Sequence, residues 1–178
     1  MATYSKETIE DYLDRSDNAQ TNDAKGEIFE DLIKYIFENV SGISFLERNF
    51  LDRTRSEEID LAFWNNQSQS ELCFLEAVII VECKNTNNPI GSSDVSWFIR
   101  KIEDRGSRYG ILVTFNGITG NPENNDCAYS QVLGGLTRNK IKILIITKEE
   151  LLNLETTNDL ANLIKNKICK LTLHRTVE

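Results

Sequence analysis

The chain has 178 residues, of which 40% are hydrophobic and 27% charged, and this composition is that of an ordinary globular protein with one core. Its formal net charge of −8 argues against strong non-specific binding to nucleic acid, because such binding depends on Lys and Arg side chains that neutralise phosphates. Four widely spaced cysteines and a single histidine, His174, argue against disulfide frameworks, zinc sites and Ser-His-Asp triads.

The N-terminal part predicts two helices separated by a polar link. Residues 5–13 form a short helix with Ser5 as its N-cap, residues 15–23 form the link, and residues 24–40 form a longer helix with one wide apolar face. We therefore divide the chain into an N-terminal helix and linker, 1–23, and a single domain, 24–178. The start of the chain lacks the order of a signal peptide and no apolar run has the length of a membrane span, so we expect a cytoplasmic protein without a membrane partner.

The rest of the chain alternates strands and helices. Residues 45–50, 58–64 and 72–84 predict three strands, and the polar turn at 65–70 indicates that the last two pair antiparallel. Further elements follow in the order helix (from Ser92 or Ser93 to Arg105, ended by Gly106), strand (109–115), weak helix (128–136), strand (141–147) and C-terminal helices (151–173). A meander followed by helical crossovers predicts an α/β fold with a mixed sheet between helices.

Three charged residues on two of these strands are candidates for catalysis. Glu82 and Lys84 close the apolar run 77–81 and, two residues apart, point to the same side of the sheet, while Asp60 is an isolated acid on the preceding strand. Burying such charges is costly unless they are paired or bind a metal. Their hard oxygens suit Mg²⁺, to which the Cys83 carbonyl could add a ligand, and Lys84 could orient a water or stabilise negative charge. The alternative is that Asp60 starts a hairpin and Glu82 pairs with Lys84 at a strand end.

A third carboxylate could come from the long helix, where Glu27, Glu30 and Asp31 compete. Projected at about 100° per residue, Glu30 lies at the margin of the apolar face, whereas Glu27 lies almost opposite its centre. A residue at the margin can reach across the sheet edge towards the site. We therefore favour Glu30 and expect Glu27 to be an exposed acid.

Two further groups of residues could face a nucleic acid. Arg53 and Arg55 lie in the loop before the strand of Asp60, and Arg48 lies just before that loop. They could contact phosphates, although a solvated charged loop is an equal explanation because acids surround them. The polar residues 85–87 could donate hydrogen bonds to a nucleic-acid backbone, and loop capping explains them equally well.

Trp97 is predicted to be exposed on the helix that ends near Arg105. It projects away from the apolar stripe of that helix, on the same side as Arg100 and Lys101. An exposed tryptophan on a basic face indicates either a dimer contact or a DNA-facing anchor, and a covering helix is the alternative.

With these motifs in place, the chain resembles the PD-(D/E)XK nuclease superfamily, in particular its Mrr-like restriction endonuclease branch. The resemblance covers residues 24 to 154 and keeps the order of the family's motifs, which are GEIFE (26–30), IDL (59–61), VECK (81–84), YGILVTF (109–115) and IKILIIT followed by KEEL (141–151).

This resemblance implies a restriction-endonuclease-like three-layer α/β/α sandwich with a central mixed sheet and Mg²⁺-dependent hydrolysis of DNA phosphodiesters, with Mn²⁺ as a substitute. Asp60 and Glu82 would hold the metal, Lys84 would assist the attacking water and Glu30 would support the metal site. We therefore expect a metal-dependent DNA endonuclease of a bacterial defence or DNA-processing system, with a homodimer or a partner protein supplying DNA recognition. Two alternatives are a non-catalytic binding or assembly subunit with the same fold and a structure-selective junction resolvase, which would need a symmetric dimer.

Overall fold

A computed structural model describes residues 1–51, 58–121, 123–124 and 126–177. Their helices are α1 (Lys6–Asp17), α2 (Asn22–Glu38), α3 (Ser92–Asp104), α4 (Cys127–Gly134), α5 (Lys148–Leu152) and α6 (Thr157–Cys169), with π-helical turns at Gly135–Asn139 and Lys170–His174. The strands are β1 (Ile43–Leu51), β2 (Glu58–Asn65), β3 (Val78–Lys84), β4 (Tyr109–Thr114) and β5 (Lys142–Thr147).

The five strands form one mixed sheet in the order β1-β2-β3-β4-β5. The pairs β1/β2 and β2/β3 are antiparallel, and β3, β4 and β5 are parallel to one another. The connections agree with this change, because β3, β4 and β5 are joined by segments that contain helices, whereas residues 66–77 join β2 to β3 without one. The predicted α/β fold with a mixed central sheet is confirmed.

Helices α2 and α3 cover opposite faces of the sheet. Phe37 of α2 stacks on Phe63 of β2 with ring centroids 4.9 Å apart, so α2 lies on the face to which Phe63 points. A Cβ added at Gly110 of β4 would lie 2.8 Å from Ile102 of α3, so α3 approaches the other face. Gly110 lies level with Ile80 of β3, and Ile80 pairs with Ala62, the residue before Phe63 on β2. Because side chains alternate between faces along a strand, the positions of Gly110 and Phe63 face opposite sides of the sheet. The sheet is therefore packed between helices.

Strand β3 is shorter than the predicted strand 72–84, because residues 72–77 form turns and bends. The buried amide of Asn65, at the end of β2, organises this segment by donating to the carbonyl oxygens of Leu72 at 3.0 Å and Glu76 at 3.1 Å. Leu72 and Leu75 are buried in the core, which explains their strand-like apolar pattern. The link between Asp60 and Glu82 is thus a compact packed turn.

Helix α1 runs to Asp17, so residues 15–17 are helical although they were predicted as part of a link, and Thr21 caps α2. Ile9 and Leu13 of α1 are buried in the same hydrophobic core as α2 and the sheet. The division of the chain at residue 23 stays a prediction.

At the start of α3 the N-cap is Gly91, one residue before the predicted serines. Across the part of the chain that the structure describes, no helix is long and apolar enough to cross a membrane.

Candidate active site

Asp60, Glu82 and Lys84 come together where β2 and β3 lie side by side. The Lys84 Nζ lies 2.8 Å from Glu82 Oε1 and 3.8 Å from Asp60 Oδ2. Leu61 pairs with Val81 in the antiparallel register, which places Asp60 level with Glu82 and on the same face. The aspartate of one strand and the glutamate and lysine of the next therefore form one cluster, as the spacing predicted.

The three side chains differ in how far solvent reaches them. The exposed fraction of the side chain is 5% for Glu82, 14% for Asp60 and 32% for Lys84. Burial, followed by the neighbouring charge of Glu82, raises the pKa of Asp60 from its ordinary 3.8 to about 6. Burial disfavours the charged form of Lys84, but the charges of Glu82 and Asp60 outweigh it and raise the pKa of this lysine. Lys84 is thus the accessible cation of a recessed acidic site.

Cys83 links the two strands through its backbone. Its N–H donates to Asp60 Oδ2 at 2.7 Å, which fixes the aspartate just beyond the end of the regular pairing. The carbonyl of the next residue, Lys84, accepts from Phe115 on the side of β4, so the Cys83 carbonyl, one residue earlier, is expected to face β2 and Asp60. The Cys83 side chain is buried, and burial raises the pKa of its thiol.

Glu30 is buried in α2 and contacts Arg48 of β1 instead of the three clustered residues. Arg48 Nε lies 3.3 Å from Glu30 Oε2 without hydrogen-bond geometry, and the Arg48 guanidinium also donates to Asp31. Burial, followed by the charge of Asp60, raises the pKa of Glu30 from 4.5 to about 7. The charge of Asp60 therefore acts on Glu30 without a direct contact. The role of Glu30 in supporting a metal stays a prediction. Glu27 is exposed, as expected.

Lys101 of α3 is a member of the cluster that the sequence analysis missed. Its Nζ lies 2.8 Å from Oε1 and 2.9 Å from Oε2 of Glu82, and only 7% of its side chain is exposed. The expectation that Lys101 shares an exposed face with Trp97 is therefore wrong. Phe98 and Ile102 contact Gly110 so closely that α3 lies low on the sheet, and this brings Lys101 over Glu82. In the sequence, the one sign that Lys101 faces the sheet is that it follows the buried Phe98 by about one helical turn.

Two other candidate residues, Arg48 and Asn85, have partners within the protein. Arg48 is occupied by Glu30 and Asp31, as described above, while Arg53 and Arg55 lie outside the described residues. Asn85 donates to Ser16 of α1 at 2.5 Å, which favours the loop-capping interpretation of that residue.

Trp97 is 44% exposed, as predicted, and its ring centroid lies 5.6 Å from the Arg100 guanidinium carbon. The predicted dimer or DNA contact of this tryptophan stays a prediction.

The oxygen atoms of the cluster suit a small hard cation. Within the described residues, no group of three or more His, Cys, Asp and Glu side chains is placed to hold a metal ion. Mg²⁺, however, is commonly bound by one or two carboxylates, with waters and substrate phosphates completing its shell. Asp60 and Glu82 supply two, and the buried Oγ1 of Thr114, level with Lys84 on β4, has no hydrogen-bond partner in the structure. The donor set therefore fits Mg²⁺ bound jointly with water or phosphate.

Comparison with known families agrees with this architecture. Residues 21–154 match the family model of the Mrr catalytic domain, described as restriction endonuclease, and this segment contains β1 to β5 and all residues of the cluster. No curated protein and no solved structure gives a significant match to the chain. Because the match covers well over half of the chain, the protein belongs to the restriction endonuclease family of Mrr-type catalytic domains.

Proposed function

We propose that the protein is a metal-dependent DNA endonuclease whose active site consists of Asp60, Glu82 and Lys84. The observation that carries the proposal is the convergence of these side chains on one face of the sheet, with Lys84 Nζ 2.8 Å from Glu82 and 3.8 Å from Asp60. An aspartate and a glutamate with a lysine, recessed and partly desolvated within a restriction endonuclease domain, have the chemistry required to bind a divalent ion beside a phosphate.

Each residue has a separate role in this proposal. Asp60 and Glu82 would hold Mg²⁺, or Mn²⁺ in its place, with the Cys83 carbonyl as a further oxygen ligand, and the bound ion would polarise the phosphate and activate water. Lys84 supplies positive charge at the accessible side of the cluster, where it stabilises the negative charge that develops on the phosphate during hydrolysis. The hydrogen bond from Cys83 N–H orients Asp60, and Glu30 adds negative charge nearby.

The test is cleavage of supercoiled plasmid by the full chain with Mg²⁺ or Mn²⁺, compared with the same reaction in EDTA. Asp60→Asn and Lys84→Met should each reduce the rate by about 10² or more, because each removes a group that acts on the transition state. Glu149→Gln, an exposed acid at the start of α5, is the matched control and should leave the rate unchanged. Metal-dependent nicking that survives Asp60→Asn in a folded protein would refute the assignment.

The same preparation distinguishes the alternatives. Binding of a divalent ion without cleavage of any DNA would favour a non-catalytic subunit, and cleavage of branched DNA with sparing of linear duplex would favour a junction resolvase. For the biological role we propose bacterial defence or DNA processing, with DNA recognition supplied by a homodimer or a partner protein. Expression of the wild type, but not of Lys84→Met, should reduce phage plaque numbers if the role is defence.

A further inference from the structure

Two lysines contact Glu82, and the roles proposed above use only one of them. Lys101 contacts both carboxylate oxygens of Glu82, at 2.8 and 2.9 Å, and Lys84 Nζ lies 2.8 Å from Oε1. A carboxylate oxygen can accept about two hydrogen bonds. The two amines therefore engage Oε1 fully, and Lys101 engages Oε2 as well.

The two lysines differ in their freedom to leave Glu82. The Lys84 side chain is 32% exposed and can turn towards a phosphate, but Lys101 is 7% exposed and lies under α3, one turn after the buried Phe98. Lys101 is nearly fully buried and follows the buried residues Phe98 and Ile99 in α3, so moving its ammonium away from Glu82 would require part of this packed face to open. Its positive charge therefore stays within the cluster when a cation arrives.

We propose that Lys101 is a positioning residue that acts as the resident counter-cation of Glu82 and, by competing with the divalent ion, lowers the affinity of the site for it. The inference rests on the proposed function, in which Glu82 is a metal ligand. A fixed ammonium a few ångströms from a buried divalent ion repels it strongly in a medium of low effective dielectric constant. The same ammonium stabilises Glu82 when no metal is bound, since an unpaired buried carboxylate is costly.

This arrangement predicts opposite effects of removing Lys101 with and without metal. The Lys101→Met variant should have a lower unfolding temperature than the wild type in EDTA, because Glu82 loses one of its two partners. It should bind Mg²⁺ or Mn²⁺ more tightly, with a Kd lower by about tenfold or more, because the repulsion is gone. A lysine with a merely structural role would weaken metal binding when removed, or leave it unchanged.

The experiment is calorimetric titration of the full chain with Mg²⁺ and Mn²⁺ in the absence of DNA. Lys167→Met is the matched control, since Lys167 is also buried and ion-paired, to Glu150 at 2.7 Å, but belongs to α6 and not to the cluster. The control should leave the Kd within about twofold of the wild type, and Lys101→Arg, which keeps the charge, should bind the ion no more tightly than the wild type. If Lys101→Met is too unstable to titrate, Lys101→Gln replaces it.

The outcomes separate this inference from the proposed function. If the wild type binds the ion, Asp60→Asn abolishes binding and Lys101→Met binds more tightly, both hold. If the wild type binds the ion through Asp60 but Lys101→Met binds equally or less tightly while remaining folded, the counter-cation role is wrong and the proposed function stands. If no variant binds either ion without DNA, there is no binding with which Lys101 could compete and the counter-cation role is overturned, while the plasmid cleavage assay decides the proposed function separately.

Discussion

The raised pKa of Asp60 predicts how the stability of the metal-free protein depends on pH. In the folded state its pKa is about 6, compared with an ordinary 3.8, so between these values the folded protein holds a proton that the unfolded chain has released. The free energy of unfolding must then fall as the pH rises from about 4 to 6 and stay low above that. The difference corresponds to roughly 3 kcal/mol in total, of which about 2 kcal/mol falls between pH 4.5 and 7.5.

The substitution Asp60→Asn removes this titration but keeps an oxygen that can accept from Cys83 N–H. We expect the free energy of unfolding of the wild type to decrease by about 2 kcal/mol more than that of Asp60→Asn when the pH is raised from 4.5 to 7.5. The measurement is urea unfolding in EDTA at both pH values, and effects of the substitution that do not depend on pH cancel in the comparison. Loss of the Asp60 charge also removes one cause of the raised pKa of Glu30, so the stability of the variant depends less on pH and the difference from the wild type increases.

Asp159, whose pKa is lowered and not raised, provides the control. The hydrogen bond from the Thr156 side chain lowers the pKa of Asp159, so its contribution to stability is present at neutral pH and is lost as the pH falls. The free energy of unfolding of Asp159→Asn should therefore lie furthest below that of the wild type at pH 7.5, and the difference should become smaller as the pH falls. Parallel pH profiles for the wild type and Asp60→Asn would show that Asp60 is not desolvated beside the charge of Glu82, and would refute the electrostatic account of the cluster.

Three other predictions follow from single contacts. Because the pKa of Glu30 is about 7, divalent affinity should rise with pH between 6 and 8, and Glu30→Gln should flatten this rise in calorimetric titrations; an unchanged slope would exclude Glu30 from the site. Asn65→Ala should lower the free energy of unfolding by roughly 2 kcal/mol in urea, because the buried carbonyl of Leu72 and the partly buried carbonyl of Glu76 lose their donor, and a neutral effect would contradict that role. Gly110→Ala should cost about 1–3 kcal/mol by the same measurement, since its Cβ would lie 2.8 Å from Ile102, whereas full stability would mean that α3 can retreat.

The part of the site that sequence predicts is the part set by local geometry. Alternation along a strand puts Glu82 and Lys84 on one face, and the hydrophobic pattern fixes which face of β2 carries Asp60. Both rules involve only residues near one another in the chain or on paired strands. The order of strands and helices is predictable for the same reason.

The contacts between layers could not be predicted in this way. Lys101 reaches Glu82 because α3 approaches the sheet closely over Gly110, and this distance depends on packing between elements far apart in sequence. The pairing of Glu30 with Arg48 joins α2 to the edge strand and likewise has no local pattern. The apolar pattern of residues 72–77 resembles a strand because Leu72 and Leu75 are buried. The hydrogen bonds that hold the segment in a packed turn, from the Asn65 amide to Leu72 and from Leu75 N–H to the Leu72 carbonyl, follow no recognisable sequence pattern.

Charge balance explains why the cluster is stable before any metal binds. The acids Asp60 and Glu82 are accompanied by the cations Lys84 and Lys101, and outside this cluster Glu30 and Asp31 share Arg48. A divalent ion entering such a balanced cluster adds excess positive charge, which an approaching phosphate would neutralise. Metal and DNA should therefore bind cooperatively, and divalent affinity measured with DNA present should exceed the affinity measured without it.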